Sequence, residues 1–296
     1  LMRTAAGRPT EAVYIFGSMI RKLIGKHQPE YLAAVWEGHG PTFRDEIFPD
    51  YKANRDETPD DLIQQMPYIK RLLDANAVPV LSSDGYEADD VIGTLACQAI
   101  ENHDVDVYVV SSDKDLTQLV SERIFVLNPM KNDLVYDRNI VKKTMGVSPA
   151  QIVDLLALKG DSVDNIPGAP GIGDKGARDL IATYGNVEGA IEHADEVKRK
   201  TYRESLQNNR EQILLSKKLA TLAIDAPVTL DLEFLRSSEP VIEQLRVLYK
   251  DLEFNSLLSQ LNEKSPSRPA VKYCIFESVD AFESWVAELP NEVPLA

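Results

Sequence analysis

Seven carboxylates fall into three short clusters: Glu87, Asp89 and Asp90, then Asp113 and Asp115, then Asp161 and Asp164. Like charges at this spacing repel, so a fold that gathers them must supply protons or cations. An all-oxygen donor set suits hard divalent ions, Mg²⁺ or Mn²⁺ above all. Divalent ions held by acids are a common apparatus for hydrolysing phosphodiesters. Against this stands the ordinary use of acids in the first turn of helices and in loops. The balance turns on whether one architecture carries all three clusters to one place.

The elements that must position them alternate. Residues 10–26 carry an amphipathic helix pattern through Val13, Phe16, Ile20, Leu23 and Ile24,. The apolar run from Tyr31 to Trp36 reads as a buried strand, and Thr58-Pro59-Asp60 as a helix start,. Further strands are expected at Val78–Leu81, Val105–Val110 and Arg123–Leu127, with a helix from Ala88 to Ala99. Strands alternating with helices imply parallel βαβ units. In such sheets ligands bind at the carboxyl ends of the strands. Glu37 follows the first strand, Glu87 opens a helix after the second, and Asp113 and Asp115 follow the third. The acids are therefore expected on one sheet edge. From about 148 the pattern turns helical, and residues 161–176 are rich in Gly and Pro.

At 296 residues, with 44% hydrophobic and 27% charged residues, the chain is an ordinary globular protein,. No apolar run is long enough to span a membrane. Cys97 and Cys274 are far apart, which excludes a disulfide framework or a zinc site,. The net charge of −15 argues against a broad phosphate-binding surface,. Seven of those negative charges, however, belong to the clusters a metal would neutralise.

Gly171-Ile-Gly173-Asp-Lys-Gly176 matches a dinucleotide fingerprint literally. The strand such a fingerprint needs in front of it is missing, so a nicotinamide enzyme is disfavoured. The alternative is a hairpin of helices. Its bare backbone N–H groups, with Lys175 and Arg178 nearby, could grip a phosphate without reading sequence. Between 41 and 57, Phe43, Arg44, Tyr51, Lys52 and Arg55 could stack on bases and hold phosphates. Three basic and five acidic residues there equally suit a solvated loop.

Three segments, Gly-Tyr-Glu-Ala-Asp-Asp (85–90), Ser-Ser-Asp-Lys-Asp-Leu (111–116) and Lys-Gly-Asp-Ser-Val-Asp-Asn-Ile-Pro-Gly-Ala-Pro-Gly-Ile-Gly-Asp-Lys (159–175), closely resemble the flap endonuclease family. The form they resemble is the 5′-nuclease domain joined to bacterial DNA polymerases. The resemblance runs from residue 1 to about 260. It implies a mostly parallel, PIN-like α/β nuclease domain over 1–147 and a helical, helix-hairpin-helix-type DNA-binding region over 148–261. A linker (262–270) and the truncated start of a 3′-5′ exonuclease-like domain (271–296) would follow. Two divalent ions are implied, with Glu87, Asp89, Asp90 and Asp113 at one, and Asp115, Asp161 and Asp164 at the other. Glu37 stands where the family has a metal-binding Asp. Lys52 and Arg55 match the catalytic basic residues of an arch over the single-stranded 5′ end. Gly168, Gly171, Ile172, Gly173 and Lys175 match the duplex-binding hairpin, where backbone carbonyls would hold K⁺.

The implied function is 5′-3′ exonuclease and flap endonuclease action on 5′ flaps, nicks and RNA primers, in a monomer of the bacterial nucleoid joined to polymerase domains. A non-catalytic DNA-structure-binding module is the rival. The family's opening strand, with a further metal-binding Asp, precedes the matching region. The chain is therefore expected to be part of a longer protein, and residues 1–296 alone to be inactive and poorly soluble.

Overall fold

The computed structural model describes residues 2–264, 278–280 and 283. The chain falls into two compact units, Leu1–Leu248 and Tyr249–Ala296. The first opens with α1 (Glu11–His27), β1 (Ala34–Val35), the short α2 (Phe43–Ile47) and α3 (Asp60–Ile63), α4 (Met66–Ala75) and β2 (Val80–Leu81). It continues with α5 (Ala88–Asn102), β3 (Val107–Val110), β4 (Ile124–Asn128), β5 (Leu134–Tyr136) and α6 (Arg138–Met145). The rest is helical: α7 (Ile152–Lys159), α8 (Asp174–Tyr184), α9 (Val187–Glu192), α10 (Lys200–Asn208), α11 (Arg210–Ala220) and α12 (Ile242–Asp251), which runs into the second unit.

The sheet is in two pieces. β1 pairs with β2 in parallel, and β3 pairs with β4 in parallel. β5, a strand the sequence pattern does not single out, returns antiparallel to β4 within the mostly parallel set. Its turn places Asn132 and Asp133 at positive φ, and Lys22 and Lys26 of α1 clamp the Asp133 carboxylate at 2.9 and 2.7 Å. The strand expected from Tyr31 to Trp36 is only two residues long and half-buried, as is β2. α5 packs against both pieces, so one helix fixes the positions of both strand ends.

The larger core is helical. Ile152, Leu155, Leu156, Leu158, Ile181 and Ile213 are sealed from solvent. The same core reaches Val109, Ile124 and Val126 of the sheet, so apolar packing runs unbroken past residue 147. In the second unit, Tyr249 and Phe254 are buried with ring centroids 6.2 Å apart, and α13 spans Asn255–Lys264. The expected linker at 262 therefore begins inside a helix. The segment expected to start a 3′-5′ exonuclease-like domain (271–296), Cys274 included, lies outside the described residues apart from 278–280 and 283.

Candidate metal and nucleic-acid site

α5 begins with a reciprocal capping box, in which Glu87 and Asp90 each bind the other's backbone N–H. That geometry satisfies the orphan donors of a helix start and fixes both side chains. Glu37, just past β1, reaches the same helix end, where its Oε2 accepts the Ala88 N–H at 3.0 Å. Beyond β3, Asp113 Oδ1 accepts the Asp115 N–H at 2.8 Å, which locks the loop before a short 3₁₀ turn. Past α7, Asp161 Oδ1 accepts the Val163 N–H at 2.8 Å. The 161–165 loop is docked onto the 50–55 loop: Lys52 N–H donates to Asp164 O at 3.0 Å and Asn165 Nδ2 to Asp50 O at 2.6 Å.

Two ammonium groups knit these segments together. Lys52 Nζ lies 2.6 Å from Glu87 Oε1 and 4.0 Å from Asp164 Oδ2. Lys114 Nζ lies 2.6 Å from Asp161 Oδ2 and 3.0 Å from Asp115 Oδ1, the latter off the line of a good hydrogen bond. Arg55 pairs with Asp164. Glu37, Glu87, Asp89, Asp113, Asp115, Asp161 and Asp164 are thus brought to one place. Lys114 was passed over in the sequence as the spacer of Asp-Lys-Asp, although an ammonium between two carboxylates is itself a signal.

The electrostatics of the cluster call for cations. Burial, then the Asp113 and Glu87 carboxylates, push the Asp89 carboxyl up to about 7. Burial also raises Asp115, with Lys114 pulling it back. Asp161 is held below the usual carboxylate range: burial pushes it up, but the hydrogen bond and charge of Lys114 and the N–H groups of Val163 and Asp164 together outweigh that. Lys114 is correspondingly raised, against burial, by Asp161 and Asp115. Among the described residues no group of three or more His, Cys, Asp or Glu side chains is arranged closely enough to hold a metal ion. The donor set is nonetheless all carboxylate, and part of it is electrostatically unneutralised, which fits a hard divalent cation.

Several expectations need correction. Arg44 does not face a nucleic acid. It is 1% exposed, and it binds Asp90, itself 0% exposed, through two contacts of 2.7 and 2.8 Å. It also donates to Leu219 O and Thr221 O. Asp90, which further accepts the Ala223 N–H at 2.8 Å, is a buried anchor and does not line the acid cluster. Tyr51 is buried too, with its hydroxyl on Glu87 at 3.3 Å and no face open to a base. In the hairpin, Ile172 is core, and Gly168 N–H is used by Ser216 Oγ at 3.0 Å. A Cβ at Gly168 would strike the Gly160 backbone, so this glycine serves close chain crossing. Arg178 pairs with Asp174 at 2.7 Å. Half-buried Phe43 stacks beside Tyr86 with centroids 6.1 Å apart.

Gly171, Gly173 and Lys175 remain exposed at the start of α8. Gly171 has φ +76, whereas Gly173 has φ −91 and needs no glycine for its backbone. A Cβ at either would meet open space.

The family model for the 5′-3′ exonuclease N-terminal resolvase-like domain matches residues 1–146, and that for the 5′-3′ exonuclease C-terminal SAM fold matches residues 147–266. The 5′-3′ exonuclease of Aquifex aeolicus is 40% identical over 262 residues, covering 88% of this chain and 89% of its own. DNA polymerase I of Bacillus caldotenax is 40% identical over 270 residues, covering 90% of this chain. This chain spans only 30% of that polymerase's length. The D15 flap endonuclease of bacteriophage T5, solved with DNA and metal ions, superposes with a TM-score of 0.63 at 21% identity, covering 86% of this chain and 92% of its own. At that identity the likeness establishes the fold: a resolvase-like α/β domain followed by a helical domain.

Proposed function

The chain belongs to the 5′-3′ exonuclease family, and we propose that it hydrolyses phosphodiesters at DNA 5′ ends and flaps with the help of divalent cations. The observation that carries this is the convergence of acids from four chain segments beside Lys52 and Arg55. Glu37, Glu87, Asp89 and Asp113 would hold one Mg²⁺ or Mn²⁺, and Asp115, Asp161 and Asp164 a second. Bound there, the cations would make water a stronger nucleophile and offset charge developing on the phosphate.

The chain's own residues do the rest. Lys52 and Arg55 bridge the acids of α5 and the 161–165 loop, and from there their charges hold the phosphate of a 5′-terminal strand. Asp90 and Arg44 fix the first turn of α5 from below, and with it Glu87 and Asp89. The α7–α8 hairpin offers Gly171, Gly173 and Lys175 to the duplex backbone, with K⁺ at its carbonyls. Nicks, flaps and RNA primers are the substrates in this reading. The polymerase domains of a longer chain would be the covalent partner. A 5′-flap oligonucleotide with Mn²⁺ or Mg²⁺ tests the proposal. Metal-dependent release of the flap, abolished by Asp113→Asn, is expected. Duplex binding without cleavage in either metal would point to a non-catalytic DNA-binding module.

A further inference from the structure

Within a chain of net charge −15, residues 198–203 read Lys-Arg-Lys-Thr-Tyr-Arg, four cations in six positions. They follow directly on Glu192, Asp195 and Glu196, so charge is segregated along this stretch. The cluster occupies the start of α10, whose first turn carries no acid. Positive charge there opposes the helix macrodipole, so these residues do not serve the stability of their own helix. Local rules broken without local gain are expected at functional sites. Lys198, Arg199 and Lys200 are exposed, and the single ion pair within the group, Lys200 with Glu204, is long at 3.7 Å. Several cations elsewhere sit on acids, as with Lys114 on Asp161 and Lys217 on Asp154.

The cluster is also fixed in place. Arg203 Nη1 donates to Val197 O at 2.9 Å, and the Arg199 guanidinium lies 4.1 Å over the Tyr202 ring. Tyr202 in turn presses on α8, where a Cβ at Gly176 would collide with its hydroxyl. The third glycine of the Gly-x-Gly-x-x-Gly stretch therefore admits Tyr202, and it sets the start of α10 against the first turn of α8.

We infer that Lys198, Arg199 and Lys200 form a second phosphate-contacting surface for duplex DNA, held in register with the α7–α8 hairpin by Tyr202 against Gly176. This rests on the reading that the chain binds duplex DNA. The test uses the 296-residue chain and a flap-bearing duplex in Ca²⁺, to suppress cleavage, with anisotropy titrations from 50 to 200 mM NaCl. Lys198→Glu/Lys200→Glu is expected to weaken binding on the order of tenfold and to flatten the salt slope by about one per lost contact. Its melting temperature should hold or rise, because Glu suits a helix start. Lys198→Arg/Lys200→Arg should keep both affinity and slope. If the Glu pair lowers the melting temperature, Lys198→Gln/Lys200→Gln takes its place with the same expected slope change. Unchanged affinity and slope in the charge-removing variants, or no duplex binding by the unaltered chain, overturns the inference. Flap cleavage by the unaltered chain is scored separately in Mn²⁺: its absence, with the slope change present, removes the nuclease reading and leaves this surface standing.

Discussion

Arg44→Ala should be among the most damaging single substitutions in the chain, although Arg44 sits in a charged stretch of sequence. The guanidinium is 1% exposed and its partner Asp90 0%, so solvent screening does not discount the pair. Removing one partner of a buried ion pair costs about 3–5 kcal/mol, because the other charge is left without compensation. Leu219 O and Thr221 O lose their donor in the same step. A loss of that size is about a fifth or more of a typical domain's roughly 5–15 kcal/mol. Arg44→Lys keeps the charge but loses the two-pronged contact, and about 1.5–3 kcal/mol is expected for the lost charged hydrogen bond. The assay is urea unfolding in EDTA followed by circular dichroism, with Arg44→Met, Asp90→Leu and Arg44→Met/Asp90→Leu forming a cycle. Residues in one network couple by about 0.5–3 kcal/mol, so the double variant should be less damaged than the sum of the singles. A cost below about 1 kcal/mol for Arg44→Ala, or strictly additive singles, would refute the buried clamp.

Gly173→Val should leave folding and cation binding intact, since its φ of −91 suits any residue and its Cβ position is open; duplex binding in Ca²⁺ should weaken about tenfold, or 1.4 kcal/mol, and equal loss of cation binding would indicate unfolding instead. Asp89, raised to about 7 by burial and its neighbours, makes the metal-free protein pH-sensitive. The folded state binds the extra proton between the ordinary carboxylate range and about 7, so stability in EDTA should fall as pH rises through that window. A melting temperature that climbs there would contradict the assignment.

What the sequence made legible was periodic or repeated. The amphipathic pattern of α1 and the acid that follows each parallel strand could be read because residues a few positions apart carry them. β5 escaped because it is three residues long and depends on the Asn132–Asp133 turn, whose stability comes from Lys22 and Lys26 more than 100 positions earlier. Arg44 escaped for the same reason: its reason for being buried, Asp90, is 46 positions away. Composition puts an arginine in a charged loop on the surface, and only the fold shows a carboxylate waiting beneath it. The hairpin glycines divide along the same line. Gly168 and Gly176 are required by chain crossings with Gly160 and Tyr202, while Gly171 and Gly173 are bare toward solvent. One short motif therefore mixes packing and ligand-facing positions, and its spelling does not say which is which. The acid cluster has a similar division, since Asp90 belongs to the core and its neighbours to the site. A variant series across residues 87–90 should then split in kind: Asp90 changes should lower stability, and Asp89→Asn should cut cation affinity while holding or raising the stability of the metal-free protein at neutral pH,.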